Sequence, residues 1–292
     1  MDLTRRHFLK SGLGVAGGWV AASGVPVAAA PIPEDPYTAA APGDLDPHQR
    51  LAIVNADDLG MSAEVDHGIF EALDRGIVTS ASLIVDGPHA AEAVRMAGHR
   101  ADVSLGIHVA FDDRGRWFVN MQDPRAVQRE LTRQLEAFVR LTGRPPTHID
   151  SHHHAHRLFN VAWLFLEAGA RYRVPVRGFS EVFFVGRFWG QPEFGHTDVT
   201  KISADYLLTI LRSLGPGVSE VSCHPGRLET RPDAQYNRER EVELQSLCDA
   251  KVKAAIAAEG IRLISFREYG QIAAKGAKSL LAGGCAPTVS SR

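Results

Sequence analysis

The chain has 292 residues, 45% of them hydrophobic and 23% charged, close to the roughly 45–50% and about 25% of ordinary globular domains. This excludes a disordered, collagen-like or multi-span membrane protein, and the length allows one large domain or two small ones. A net charge of −2 leaves no field to draw in nucleic acid or an anionic membrane. Three cysteines, Cys223, Cys248 and Cys285, are too few and too scattered for a disulfide framework or a cysteine zinc site.

At the N-terminus, Thr4-Arg5-Arg6-His7-Phe8-Leu9-Lys10 places paired arginines ahead of a mildly apolar stretch with five glycines between Ser11 and Ala30. This resembles a twin-arginine export signal. Residues 1–30 are therefore expected to be a signal peptide cut near Ala29 or Ala30. The twin-arginine export machinery would be its partner, and the mature protein would be periplasmic or otherwise extracytoplasmic. An uncleaved anchor is the alternative, since no charge falls between Lys10 and Glu34. A span needs about 20 predominantly apolar residues and the glycines weaken insertion, so no stable membrane insertion is expected. Residues 31–50, rich in Pro, Ala and Asp, read as a linker.

From residue 51 short apolar runs alternate with helical periods. Strands are expected at 51–55, 77–85, 103–109, 148–151, 176–179, 218–223 and 261–265. Helices are expected after a Ser62 cap and at 88–97, 124–141, 161–172, 203–214 and 239–259. An aromatic-rich loop, 183–194, interrupts the rhythm. The repetition predicts an α/β fold, either doubly wound or a distorted barrel of about seven parallel strands, in a single domain 51–275 with a flexible tail 276–292.

In parallel α/β folds the site lies at the C-terminal ends of the strands. Four strand ends here carry acids or histidines: Asp57-Asp58, His108, Asp150-Ser151-His152-His153-His154, and His224. Each has a bland reading. The aspartates could cap a helix, His108 could be a bonded core histidine, the histidine tract could be solvated, and His224-Pro225-Gly226 could be a turn. Together at one rim they read as a metal-centred hydrolytic site, because imidazoles with a carboxylate suit a divalent ion that keeps positions open for water and substrate.

Four segments then carry a family resemblance. They are Ile53-Val54-Asn55-Ala56-Asp57-Asp58-Leu59-Gly60, Leu105-Gly106-Ile107-His108, Thr147-His148-Ile149-Asp150-Ser151-His152-His153-His154-Ala155-His156 and Ser222-Cys223-His224-Pro225-Gly226. From about residue 51 to 266 the chain resembles the YdjC/ChbG/HpnK carbohydrate deacetylases. The resemblance implies a distorted (β/α) barrel that removes an N-acetyl group from an amino sugar with one divalent ion, most often magnesium; Asp-His-His chemistry suits zinc as well. It implies Asp58, His108 and His152 as metal ligands, Asp57 as base and His224 as acid. His154 replaces His152 if the loop register differs. Two departures stand out: Leu59 occupies a position that is usually Phe, and the segment 109–116 lacks the family's Leu-Thr and Gly-x-Pro stretch, which bears on acceptor specificity.

Phe183, Phe184, Phe188, Trp189 and Phe194 either form a stacking platform for a sugar ring, with Phe184 and Trp189 as the candidate contacts, or close the barrel mouth as a small core. The export signal points to an envelope-derived small-molecule substrate, an acetylated amino-sugar oligosaccharide or glycolipid headgroup. Two rival functions are a metal-dependent phosphoesterase, with Arg227 and Arg231 as a phosphate clamp, and a noncatalytic periplasmic metal- or sugar-binding protein using residues 151–156. Replacing Arg5 and Arg6 by Lys should leave the precursor in the cytoplasm on cell fractionation; unchanged export would refute the twin-arginine route.

Overall fold

The apolar run that opens the domain forms β1 (Arg50–Leu59), buried from Leu51 onward, as a central parallel strand must be. The computed structural model describes residues 48–282 apart from 99, 101–102, 114, 193–195, 232–233 and 235, and all of these fall in one compact unit. The expected signal peptide and cleavage site, the linker up to residue 47, Phe194 and Cys285 lie outside the described residues. No helix among the described residues is long and apolar enough to cross a membrane, and Cys223 and Cys248 are both free.

Ser62 accepts the Val65 N–H and starts α1 (Ala63–Arg75), as its hydroxyl at an N-cap predicts. Next come β2 (Ser80–Leu83), α2 (Ala90–Ala97) and β3 (Ser104–Val109). A short antiparallel hairpin follows, β4 (Asp112–Asp113) with β5 (Arg116–Trp117). Asp123 caps α3 (Pro124–Thr142), which has Pro124 in its first turn and ends at Gly143 with φ 70°; proline pre-sets the first turn and glycine tolerates the left-handed stop. Strand β6 (Ile149–Ser151) runs into a 3-10 segment, His152–Arg157, before α4 (Ala162–Tyr172). The remainder is β7 (Phe183–Val185), a 3-10 turn Val199–Ile202, α5 (Ala204–Arg212), β8 (Gly217–Cys223), α6 (Asn237–Cys248), α7 (Ala250–Ala258), β9 (Ile261–Leu263) and α8 (Phe266–Ala282).

Seven parallel strands form one sheet in the order β6-β3-β2-β1-β8-β7, with β9 also on β1. One edge of β1 pairs with β8; the other is shared by β9 at Arg50–Ala52 and β2 from Asn55 onward. The sheet curls into a half-barrel with helices outside, the expected α/β barrel. Alternation along β1 sorts the core: Ala52, Val54 and Ala56 join the large helix-side cluster, whereas Leu51 and Ile53 meet Val182, Ile264 and Phe266. Asn55 and Asp57 follow at the next two alternate positions, so the inner face turns from apolar to polar toward its C-terminal end.

Several boundaries differ from expectation, and β1 runs on to Leu59 instead of ending at 55. The strand expected at 176–179 is one isolated bridge, Ile149 to Val176, because Gly178 turns left-handed at φ 72° and Arg177 points inward. The pairing strand is β7, inside the stretch read as an aromatic loop, where Phe183-Phe184-Val185 supplies the bulky, β-prone residues. The single helix expected at 239–259 breaks at Asp249, whose backbone is extended and whose side chain accepts the Lys251 N–H to start α7. The last helix, α8, runs to Ala282, past the point where the sequence placed the tail.

Helix α1 seats on the loop after β8 through two glycines. A Cβ on Gly68 would lie 2.4 Å from the Gly226 Cα, and backbone cannot swing aside as a side chain can. Helix propensity alone favours Gly68→Ala by about 1 kcal/mol. We expect the clash to win, with a net loss of about 1–3 kcal/mol typical of overpacking, read as a lower urea midpoint at unchanged m; a higher midpoint would show a slack contact.

Candidate functional site

Two adjacent aspartates leave the end of β1 in different directions. An irregularity in the pairing with β2 falls between Ala56 and Leu59, and Asp58 is left-handed at φ 70°, a conformation costly for a non-glycine residue and typical of functional sites. The bulge re-aims the side chains. Both Asp57 oxygens accept from the Arg177 guanidinium at 2.7 Å, and Oδ1 also accepts from Asn55 Nδ2 at 2.8 Å. Asp58 instead gives Oδ2 to Arg240 at 2.6 Å. Its Oδ1 is buried without a hydrogen-bond donor, 3.2 Å from His108 Nε2 and 4.0 Å from His152 Nε2.

Each of these histidines is held from behind by a carboxylate. His108 Nδ1 lies 2.7 Å from Asp150 Oδ1, and His152 Nδ1 lies 2.9 Å from Asp112 Oδ1. With Nδ1–H donating backward, each Nε2 faces Asp58; Asp150 and Asp57 keep His108 protonated in the ion-free protein, and an ion bound here would take the place of its Nε2 proton. This carboxylate–histidine arrangement fixes tautomer and ring orientation at metal sites. An orphaned buried carboxylate oxygen flanked by two such nitrogens fits a divalent ion. Among the described residues, the groups whose ligand atoms all lie within 4.8 Å of one another are Asp57–His108–Asp150 and Asp112–His152–His153, not Asp58–His108–His152, which is more widely spaced. The first is already filled by the Arg177 fork, and the second faces outward through the half-exposed His153.

Arg177 is fully buried and meets three carboxylates, Asp57 on β1, Asp150 on β6 and Glu220 on β8, at 2.7 Å each. Burial is the largest single effect and raises the pKa of Asp57 and Asp150, but Arg177 and His108 together outweigh it and hold both carboxyls below the usual range. Glu220 keeps the burial penalty, softened by Arg177, and rises to about 7. Burial disfavours a charged His108, but Asp150 and Asp57 lift it to about 10. Burial also works against ionised Asp112, and hydrogen bonds from His152 and His153 overturn it.

His224 enters from the β8 side. Its Nε2 is 3.7 Å from Asp57 Oδ2, and its buried, unbonded Nδ1 is 3.8 Å from Glu243 Oε1. Glu243 also accepts the His224 backbone N–H at 2.5 Å and the Tyr236 hydroxyl at 2.6 Å. Trp189 stands edge-on to His224 at 4.8 Å and stacks on Tyr236 at 4.0 Å.

The expected residues Asp57, Asp58, His108, His152 and His224 thus converge on one rim. His154 does not take the place of His152: it packs against Phe184 and His156, and burial, followed by Arg177, lowers its pKa to about 4. The four aromatics among the described residues do not form one platform. Phe188 is fully buried in the core, Phe183 is exposed, Phe184 covers the Arg177 guanidinium at 5.2 Å, and Trp189 flanks His224. Arg227 and Arg231 pair with Glu71 and Glu229 instead of converging as a phosphate clamp.

Sequence reading placed Asp150 at the rim without a role, and missed Arg177, Glu220, Asp112, Arg240 and Glu243 as parts of the site. Arg177 and Glu220 had a signal, a charge inside a strand expected to be buried, and Asp150 stood beside the histidine tract. Arg240 and Glu243 had none, because their helix reads as solvated.

A family model described as YdjC-like protein matches residues 51–258. A carbohydrate deacetylase of Geobacillus stearothermophilus is 34% identical over 252 residues, covering 75% of this chain and 98% of that protein. Among solved structures, a proposed cellobiose-phosphate cleavage protein from Enterococcus faecalis V583 superposes with a TM-score of 0.64 at 24% identity, covering 76% of this chain and 99% of the other. The catalytic domain of a peptidoglycan N-acetylglucosamine deacetylase from Eubacterium rectale gives 0.52 at 12% identity, covering 77% and 92%. Identities this low show a shared fold.

Removing the cation at the centre of this cluster tests its role. Arg177→Met should cost about 3–5 kcal/mol, as expected when one partner of a buried ion pair is lost. The sign of its pH dependence follows from the carboxyls. With Arg177 present, the depressed Asp57 and Asp150 contribute stability above the unfolded carboxylate pKa that is lost as pH falls through their folded values. Without it, burial is opposed mainly by His108 and their folded pKa rises, so the variant's deficit should grow as pH rises from 4 to 7 in urea titrations. A pH-independent deficit would argue that Arg177 only fills space.

Proposed function

Because the chain belongs to the YdjC-like family, we propose that it is a carbohydrate deacetylase that hydrolyses the N-acetyl group of an amino sugar. The observation that carries this reading is the orphaned Oδ1 of Asp58 between His108 Nε2 and His152 Nε2, with Asp57 and His224 beside it. Asp58, His108 and His152 would hold one divalent ion, magnesium or zinc. Asp57 would take the proton of the attacking water. Arg177 keeps Asp57 ionised at the cost of basicity. When bound, a divalent ion supplies what so weak a base lacks, acidified water and Lewis-acid polarisation of the acetyl carbonyl. His224 would approach from a different strand and protonate the departing amine, a poor leaving group as the free anion. Trp189 and Phe184 would flank the sugar, consistent with their half-buried rings at the rim. On the sequence signal alone, we place this activity outside the cytoplasm, on an envelope-derived glycan or glycolipid headgroup.

Acetate release from N-acetylglucosamine oligomers by the metal-loaded mature protein tests the activity; no release across a broad amide and ester panel would refute it. Asp57→Asn and His224→Ala should each lower turnover by about 10²–10⁴-fold, the usual scale for one proton-transfer partner, while metal content stays at the wild-type level. Asp58→Ala, His108→Ala and His152→Ala should lose both metal and activity. If Asp57→Asn stripped the metal while Asp58→Asn retained it, the aspartates would exchange roles, and a near-wild-type His224→Ala would remove that residue from the chemistry.

A further inference from the structure

Helix α6 has the sequence of a solvated helix, Asn237-Arg238-Glu239-Arg240-Glu241-Val242-Glu243, yet Glu239, Arg240 and Glu243 are buried. Each of these charges is directed at the rim. Glu239 accepts from Gln191 at 2.8 Å and from the Thr197 hydroxyl, fastening the segment that carries Trp189. Glu243 holds the His224 backbone. Arg240 reaches Asp58.

The Arg240 guanidinium is fixed at several points. It donates to Asp58 Oδ2 at 2.6 Å and to the His224 carbonyl at 3.4 Å, touches Met61 Sδ at 3.5 Å, and lies 5.8 Å from the centre of the Tyr236 ring. Its own carbonyl accepts the Gly226 N–H at 3.1 Å, so the helix is pinned to the loop that bears His224. Asp58, in turn, sits on a bulge with a left-handed backbone, where strand geometry no longer fixes the carboxylate's direction. Its orientation depends on what holds Oδ2, and Arg240 is that group.

We propose that Arg240 is a positioning residue for the ion site: by occupying Oδ2 it makes Asp58 a one-oxygen ligand, with Oδ1 aimed between His108 and His152. The inference rests on the reading that these three residues hold a divalent ion. A one-oxygen carboxylate leaves a coordination position that a two-oxygen carboxylate would fill, and open positions are what separate catalytic from structural metal sites. The guanidinium also draws charge from Asp58, so the carboxylate neutralises less of the ion's charge.

The test is Co2+ titration of the metal-stripped mature protein, followed by its visible d–d spectrum, which reports coordination number, and by kcat and KM. Wild type should bind one Co2+ per chain, lost in His108→Ala. Arg240→Met should still bind one, since all three ligands remain, but with weaker bands of higher coordination number. Its kcat should fall by about 10–100-fold, the usual cost of losing a partner behind a metal ligand, with KM changed much less. Arg240→Lys, which keeps a donor for Oδ2, should recover part of the spectrum and of kcat together. An unchanged spectrum in Arg240→Met overturns the proposal, whether or not kcat falls. Should that variant fail to fold by circular dichroism, Arg240→Gln takes its place with the same two readouts, and an unchanged spectrum there overturns the proposal equally. A wild-type protein that binds no Co2+ would refute the ion-site reading itself, and this inference with it.

Discussion

One guanidinium placed among three carboxylates sets the interior of this half-barrel. Arg177 follows the bridge beyond the β6 edge and reaches Asp57, Asp150 and Glu220 on three strands of the sheet. Taking a guanidinium and its carboxylates out of water costs several kcal/mol per charge, and only near-complete hydrogen bonding offsets it. The planar fork meets that condition, because its five donors lie in fixed directions that a lysine could not match. A single cation thereby lets three acids share one small volume.

That anchor propagates outward through alternating charges. Arg177 fixes Asp150, Asp150 fixes His108 through Nδ1, and His108 faces Asp58, whose far oxygen is held by Arg240. A shorter arm, Asp112 to His152, reaches the same point from the β4–β5 hairpin. Every group in the chain has at least one side committed to a neighbour, and the uncommitted sides converge. Asp58, His153 and His154, three of the non-glycine residues with positive φ, lie at this rim. Backbone strain stored there is held in place by the surrounding hydrogen bonds.

Helix α6 supplies the outer wall. Arg240 steadies the metal side and Glu243 the His224 side, while Tyr236 stacks on Trp189. A helix with so little amphipathic contrast is buried by polar bonds to the rim more than by an apolar stripe. The Gly226 N–H bonded to the Arg240 carbonyl fixes its register against the β8 loop, and the close approach of Gly68 to Gly226 holds that same loop against α1.

Local chemistry made much of this legible. Buried parallel strands must be apolar and helices must repeat every 3.6 residues, so the strand–helix rhythm and the α/β class were written in the sequence, while the choice of a barrel over a doubly wound sheet came from the family resemblance. Acids and histidines at strand ends were visible for the same reason: Asp57, Asp58, His108, His152 and His224 break apolar runs at the positions where such a fold gathers its chemistry. What the chain does between Val176 and Val185 was not legible, because Gly178 and the inward turn of Arg177 depend on carboxylates supplied by distant strands. Nor was the break at Asp249, where a cap competes with helix continuation and packing decides. The supporting charges were the least visible. Arg240 and Glu243 sit in a polar helix whose residue pattern is that of a solvated face, and nothing local distinguishes a charge facing water from one facing another charge across a barrel rim. Only the tertiary structure, by bringing Asp58 within 2.6 Å of Arg240 and the backbone of His224 within 2.5 Å of Glu243, decided which face of that helix is inside.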